Sequence, residues 1–248
     1  MKLDELKKLH QKKYRASAGL YLVEGEHLIL ELQQAARRNP ALNASQLYVT
    51  ARHEDWPTPF AKHVISERQM AQLADTRTPQ GLIAVVPILP APAPAAGERA
   101  VYFHEIQDPG NLGTILRTLA WFGGFRCLLS PDSVDPYNPK VVRASMGALF
   151  HVPVETDVSA DALAARYPRI ACLDLRGEPI TAPAFTACDC YLFGNEARGV
   201  PEASLGARRF TIPGAGAIES LNLASAVNMC VYELHRHGIA QRVIGPVT

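Results

Sequence analysis

The sequence predicts a two-part α/β protein: a small N-terminal α/β unit over residues 1–90, a proline-rich linker at 91–98, and a larger domain from 99 onward built on a mainly parallel sheet. Three observations carry that prediction. From Ala100 on, short apolar runs alternate with stretches of helical periodicity, the pattern of strands joined by helices that cover both sheet faces. Pro87, Pro90, Pro92 and Pro94 crowd into PILPAPAPAAGERA, a composition that cannot continue a helix or a central strand. Three polar, glycine-bearing loops each follow a strand of the second half, QDPGNLGTILR, GNEARGV and GAGAIESLN. In open α/β sheets that edge is where ligands bind.

In the first part, MKLDELKKLHQKKYR carries Lys2, Lys7, Lys8, Lys12, Lys13 and Arg15 against only Asp4 and Glu5, with Leu3, Leu6 and Leu9 at helical spacing, and reads as a solvated amphipathic helix. Strands are expected at Leu20–Val23, Gln46–Val49, His63–Ile65 and Gly81–Val86, and helices at His27–Ala36 and Glu67–Ala74. In the second part, VYFHEI, FRCLLS, VPVET, IACLDL, CYLFG and RFTIP are the expected strands. Helices are expected from Asn111 to Phe122, Pro139 to Phe150, Ala160 to Arg166, Val200 to Leu205, and from Leu221 to the His235–Gly238 stretch.

Composition narrows the function classes. With 48% hydrophobic and 20% charged residues in 248, the chain is an ordinary globular one. No run approaches the ~18 apolar residues of a membrane span, and the N-terminus has no signal-peptide core, so a cytoplasmic protein is the default expectation. Five cysteines without CxxC spacing read as core thiols, and no metal cluster is visible. A formal net charge of +1 means that any RNA-binding surface is local.

The segment TIPGAGAIESLNLASAV ends a strand, loosens at Gly214 and Gly216, and opens a helix, which puts Ser220 and Asn222 at or near a helix N-terminus. Such a position offers unpaired N–H groups and a partial positive charge, suited to a polar small molecule, although it is also an ordinary strand-to-helix turn. In the first loop, Leu112, Ile115, Leu116, Leu119 and Phe122 share one helix face, while Gly113 and Arg117, four apart, fall on the other. There the glycine leaves room beside a guanidinium fork that suits a phosphate. Glu196 and Arg198 of the second loop read equally as a cap and a surface charge.

The order NLGTILR, LFGNEARGV, IPGAGAIESLNLASA resembles the three motifs of the SpoU/TrmH branch of the SPOUT RNA methyltransferases. VVRASMGALFHVPV is similar to the same family, and GLYLVEGEHLILE with TRTPQGLIAVV resembles its N-terminal RNA-binding substrate domain. The resemblance implies a ribose 2′-O-methyltransferase that uses S-adenosylmethionine, acts on structured RNA with ribosomal RNA favoured over transfer RNA, and dimerises through a SPOUT domain with a deep trefoil knot. It implies catalytic-loop roles for Asn111 and Arg117, a second-motif role for Glu196 and third-motif roles for Ser220 and Asn222. Leu192, Gly194, Ile212 and Leu221 would contact the cofactor, largely through backbone, and Gly214 stands where relatives often carry a larger residue.

Two other classes compete. A non-catalytic RNA-binding or assembly protein could keep the fold, but would have no need for Asn111, Arg117, Glu196, Ser220 and Asn222 together. A nucleotide-dependent oxidoreductase is suggested by GAGAIE, which lacks the last glycine of the dinucleotide fingerprint and has no following βαβ unit.

Overall fold

Alternating burial along the first 87 residues resolves into α1 (Leu3–Lys8), α2 (Lys12–Ala18), β1 (Leu20–Glu24), α3 (Glu26–Arg38), β2 (Gln46–Val49), β3 (Ala61–Val64), α4 (Glu67–Leu73) and β4 (Leu82–Pro87). The remainder of the chain supplies β5 (Arg99–Phe103), α5 (Pro109–Phe122), β6 (Phe125–Leu129), α6 (Pro139–Ser145), β7 (Val154–Glu155), α7 (Ala160–Arg166), β8 (Ile170–Pro179), α8 (Pro183–Thr186), β9 (Cys190–Phe193), β10 (Arg208–Thr211) and α9 (Leu223–Ile239). The computed structural model describes residues 2–195, 198–199 and 206–239; the helix expected over Val200 to Leu205 lies outside them. Two compact units result, Met1–Ala91 with Asp135–His151, and Pro92–Val134 with Val152–Thr248.

In the first unit a four-stranded sheet runs in the order β1-β4-β2-β3, antiparallel except for the β2–β3 pair. Leu6 and Leu9 pack with Met70 and Leu73 of α4 onto Leu22, Tyr48, Ile83 and Val85 of the sheet. The N-terminal basic segment is therefore two short helices rather than one solvated helix. Arg15, expected among the solvated charges, is 3% exposed. Its Nε donates to Asp135 Oδ2 at 2.9 Å and its Nη1 to the carbonyl of Leu9 at 2.8 Å, which satisfies a charge that burial would otherwise penalise. Helix α6 packs on β1, and the ion pair of Arg143 with Asp75, at 2.6 Å, belongs to the same unit. The single helix expected from Pro139 to Phe150 is broken. Met146 and Gly147 turn left-handed, with φ of 50° and 90°, and a 3-10 turn follows over Ala148–Phe150. A side chain at Gly147 would press on Glu31 Cβ, 2.7 Å from the site of a Cβ.

The second unit is a six-stranded sheet in the order β10-β8-β9-β5-β6-β7 with every pair parallel. Every residue of β6 and β9 is buried, the pattern of strands covered on both faces. Ala100, Tyr102, Leu128, Cys172, Cys190 and Leu192 line one face and pack against Leu163 of α7. All five cysteines are free and buried. Burial pushes the Cys172 thiol up to about 11 and that of Cys190 to about 12, so they behave as core groups and not as nucleophiles.

Strand β10, which leads into the third loop, lies at the sheet edge beside β8. Its register shifts between Arg209 and Phe210, where Gly177 lets the backbones approach: a Cβ there would stand 2.6 Å from both the carbonyl carbon and oxygen of Arg209. Because those atoms are main chain, a Gly177→Ala substitution must push β10 away, and a destabilisation of about 2 kcal/mol follows from overpacking of this kind. Denaturant unfolding of the variant measures it, and a wild-type midpoint would show that the two strands separate without strain.

Candidate active site

Strand β5 ends into the first loop, and Asp108 and Pro109 start α5. Asp108 is the N-cap, with Oδ1 accepting the N–H of Asn111 at 2.7 Å, and Pro109 stands at the first helical position. Asn111, expected to open the helix, is its third residue, still within the first turn. The signal was present in the Asp-Pro pair itself.

Asn222 caps α9 in the same manner. Its Oδ1 accepts the N–H of Ser225 at 3.3 Å, and its carbonyl takes the first helical bond, from the N–H of Ala226, at 3.0 Å. Since the oxygen faces its own helix, the nitrogen is the atom that faces outward, and Nδ2 donates to Asn111 Oδ1 at 3.0 Å. Further contacts keep step along the two helices: Thr118 Oγ1 donates to Asn228 Oδ1 at 2.5 Å, and the ring of Phe122 meets those of Tyr232 and His235 with centroids 6.4 and 5.0 Å apart. Partners advance together in sequence, so α5 and α9 run side by side in the same direction. Both N-termini, each with a partial positive charge, therefore come together where the amides meet.

The second loop is fastened to the same edge. Phe193 at the end of β9 accepts the N–H of His104 at 2.9 Å, and Asn195 Nδ2 donates to the carbonyl of Glu105 at 2.9 Å. Arg198 forms an ion pair with the Glu105 carboxylate. Neither Glu105 nor Asn195 stood out in the sequence, because their contacts join residues some ninety positions apart.

The structure thus brings Asn111 and Asn222 into contact. Leu192 lies in β9 with its side chain in the core cluster and its backbone between β8 and β5, which pair with it on either side. Gly194 follows β9 and Ile212 follows β10, each partly buried, while Ser220 and Leu221 are exposed. Arg117 is exposed on α5, whereas Gly113, expected beside it on the solvent face, is buried. Glu196 lies outside the described residues.

A parallel sheet whose glycine-bearing loops gather at its carboxyl edge defines an α/β domain of the class that binds ligands at that edge. Residues 98–232 match the SpoU rRNA Methylase family, and residues 1–84 match the MRM3-like substrate binding domain. The 23S rRNA (guanosine(2553)-2'-O)-methyltransferase RlmP of Bacillus subtilis is 32% identical over 241 residues, covering 94% of this chain and 95% of the relative. A TrmH-family structure from Porphyromonas gingivalis superposes with a TM-score of 0.82 at 30% identity, covering 95% of this chain and 97% of the other. The SpoU methyltransferase AviRb from Streptomyces viridochromogenes, solved in complex with AdoMet, gives 0.81 at 25% identity, covering 97% and 98%. The chain belongs to the SpoU methylase family.

Proposed function

We propose that this protein transfers the methyl group of S-adenosylmethionine to a ribose 2′-hydroxyl of ribosomal RNA. The observation that carries the reading is the Asn222–Asn111 amide contact, which joins the first and third motifs at two converging helix N-termini. Relatives named as ribosomal RNA 2′-O-methyltransferases, from Bacillus subtilis and Streptomyces viridochromogenes, favour ribosomal over transfer RNA.

The residues of the third loop fit the cofactor. A Cβ at Gly214 or Gly216 would meet nothing within 4 Å, so the backbone is open to close approach, and Ile218 and Leu221 nearby are 77% and 43% exposed. Open glycines among exposed apolar side chains suit a ligand with an apolar ring and a charged tail. We assign Leu192, Gly194, Ile212 and Leu221 to hold it. When bound, S-adenosylmethionine supplies an electrophilic methyl group.

The chain's part is to orient the ribose and stabilise the charge that develops on its oxygen. Amides do not titrate near neutral pH, so Asn111 and Asn222 position and cannot act as the base. Arg117 is permanently charged, and its role is to anchor a phosphate and stabilise the emerging alkoxide. Ser220 and Glu196 complete the catalytic set in this reading, on the strength of their places in the motifs.

The reading includes a homodimer and, by kinship, a trefoil knot in the C-terminal domain. Trp121 on α5 and Met229 and Tyr232 on α9 are 73%, 44% and 56% exposed, large apolar surfaces that a second copy would cover. In this reading residues 1–90 bind RNA and 99–248 carry out methyl transfer, except that Asp135–His151 packs as part of the first unit. Five free thiols and an RNA substrate suit the reducing cytoplasm.

The test is calorimetric titration with S-adenosylmethionine, followed by mapping of ribose methylation in ribosomal RNA from cells with and without the protein. Binding together with one site lost on deletion supports the proposal. Absence of cofactor binding, or an unchanged methylation map, overturns it.

A further inference from the structure

Just beyond β5 the backbone adopts a conformation that its residue type disfavours. Glu105 has φ of 52°, in the left-handed region where a residue with a Cβ is uncommon. Five groups contact it, among them Gln107 Nε2, which donates to its carbonyl at 3.3 Å. Its N–H donates to Ser130 Oγ at 2.7 Å, and its carbonyl accepts Asn195 Nδ2 at 2.9 Å. Its carboxylate receives Arg198 and lies 3.5 Å from His104 Nε2.

Two of these partners, Asn195 and Arg198, belong to the second motif. Asn195 and Gly199 exchange backbone hydrogen bonds at 2.9 and 2.8 Å, and Asn195 Oδ1 accepts the N–H of Arg198 at 3.1 Å. The turn is thus closed by its own hydrogen bonds and is fastened to the segment after β5 through Glu105. A glycine at position 105 would accept the backbone conformation freely and keep the carbonyl contact, but would release Arg198. Arg198 is 70% exposed and Glu105 22%, so the pair contributes little to the core. What the carboxylate adds is a second attachment, which fixes the turn's orientation as well as its distance.

We propose that Glu105 is a positioning residue that holds the Asn195–Gly199 turn, and Gly194 before it, in the form that binds the cofactor. The inference rests on the function proposed above. It adds a residue outside the three motif loops, acting through Arg198 and Asn195.

The experiment is a double-mutant cycle on the full chain, with Glu105→Gln, Arg198→Gln and the combination, alongside Glu105→Gly. S-adenosylmethionine affinity is read by calorimetry, RNA dependence by KM, and protection of the Arg198 and Gly199 amides by hydrogen exchange in the cofactor-free protein. Each single change weakens cofactor binding about tenfold, as expected for loss of one charge-assisted contact. The double variant is no worse than either single one, and the KM for RNA stays at the wild-type value. Glu105→Gly loses cofactor affinity to the same degree while its melting temperature is equal to or above wild type, a split that a purely structural role would not produce. Wild-type affinity in Glu105→Gly, additive losses in the double variant, or unchanged amide protection would each overturn the proposal. If the wild-type protein does not bind S-adenosylmethionine, the proposed function fails, while amide protection still decides whether Glu105 holds the turn.

Discussion

Mixed dimers carrying Arg117→Ala in one protomer and Asn222→Ala in the other recover methyl-transfer activity that neither parent homodimer has. The reason lies in the geometry of α5. Asn111 reaches Asn222 of its own chain. Arg117 is six residues further on, which turns it about 120° around the helix from Asn111 and carries it roughly 9 Å along the axis. It is exposed and makes no ion pair among the described residues. Four residues beyond it, on the same side, Trp121 is 73% exposed. In the proposed dimer, an arginine turned away from its own amide pair, beside the apolar surface assigned to the second copy, would serve the partner's site. Each homodimer should lose roughly 100-fold to 1,000-fold in rate, the scale of removing one preorganised charge-stabilising group. In the mixed dimer one composite site carries both lesions and the other carries none, so about half of wild-type activity returns. Purified heterodimers with two different tags provide the measurement, alongside both parents. No recovery in heterodimers that still bind S-adenosylmethionine would place Arg117 in its own chain's site or outside catalysis.

Replacing Arg126 with methionine should have the largest effect on stability. This arginine is 2% exposed in β6. Its Nη1 donates to Glu155 at 2.5 Å, and its Nη2 donates to Glu98 at 3.1 Å and to the carbonyl of Pro92 at 2.7 Å. Methionine fills similar space but leaves Glu98, 9% exposed, and Glu155 without their central cation. Breaking a buried ion pair from one side costs about 3 kcal/mol, read from urea unfolding at neutral pH. A loss below about 1 kcal/mol would mean that water reaches the two carboxylates.

The same cluster makes stability depend on acid. Hydrogen bonds from Arg166, and then from Arg126, hold the Glu155 carboxyl below the usual carboxylate range against the opposing effect of burial. A folded pKa below the unfolded value means that the contribution is complete above about pH 4.3 and is lost as pH falls through the lowered folded value. Wild type and Glu155→Gln should therefore differ by a constant amount near neutrality and converge in acid. A gap that widens in acid would reverse the sign of the shift.

Strands and helices were legible where their patterning is local: strand β2 and helix α7 fall at the predicted positions. The break at Met146–Gly147 was not, because VVRASMGALF keeps an apolar period through a residue pair whose left-handed turn is visible only in φ. Arg15 read as surface because its partner, Asp135, is 120 positions away. At the site, the sequence placed three loops at one sheet edge, and the Asn111–Asn222 contact joins the first to the third. The role of Glu105 was hidden for a different reason. A glutamate in a strand-ending segment carries no sign that its backbone will turn left-handed or that its carbonyl and carboxylate will both be taken by one distant turn.

The assignment of Asp135–His151 to the first unit has a consequence for how the protein is made. A growing chain emerges from the ribosome in order, and at ~5–20 residues per second the sixty-odd positions between Ala91 and His151 take several seconds to follow. Until they do, β1 lacks its α6 cover, Arg15 has no Asp135 and Asp75 has no Arg143. The N-terminal unit cannot complete its core as the first finished product of translation. It must wait, part-formed, for a segment that arrives only after β5, α5 and β6 of the second unit have been synthesised, so the two units mature together during translation.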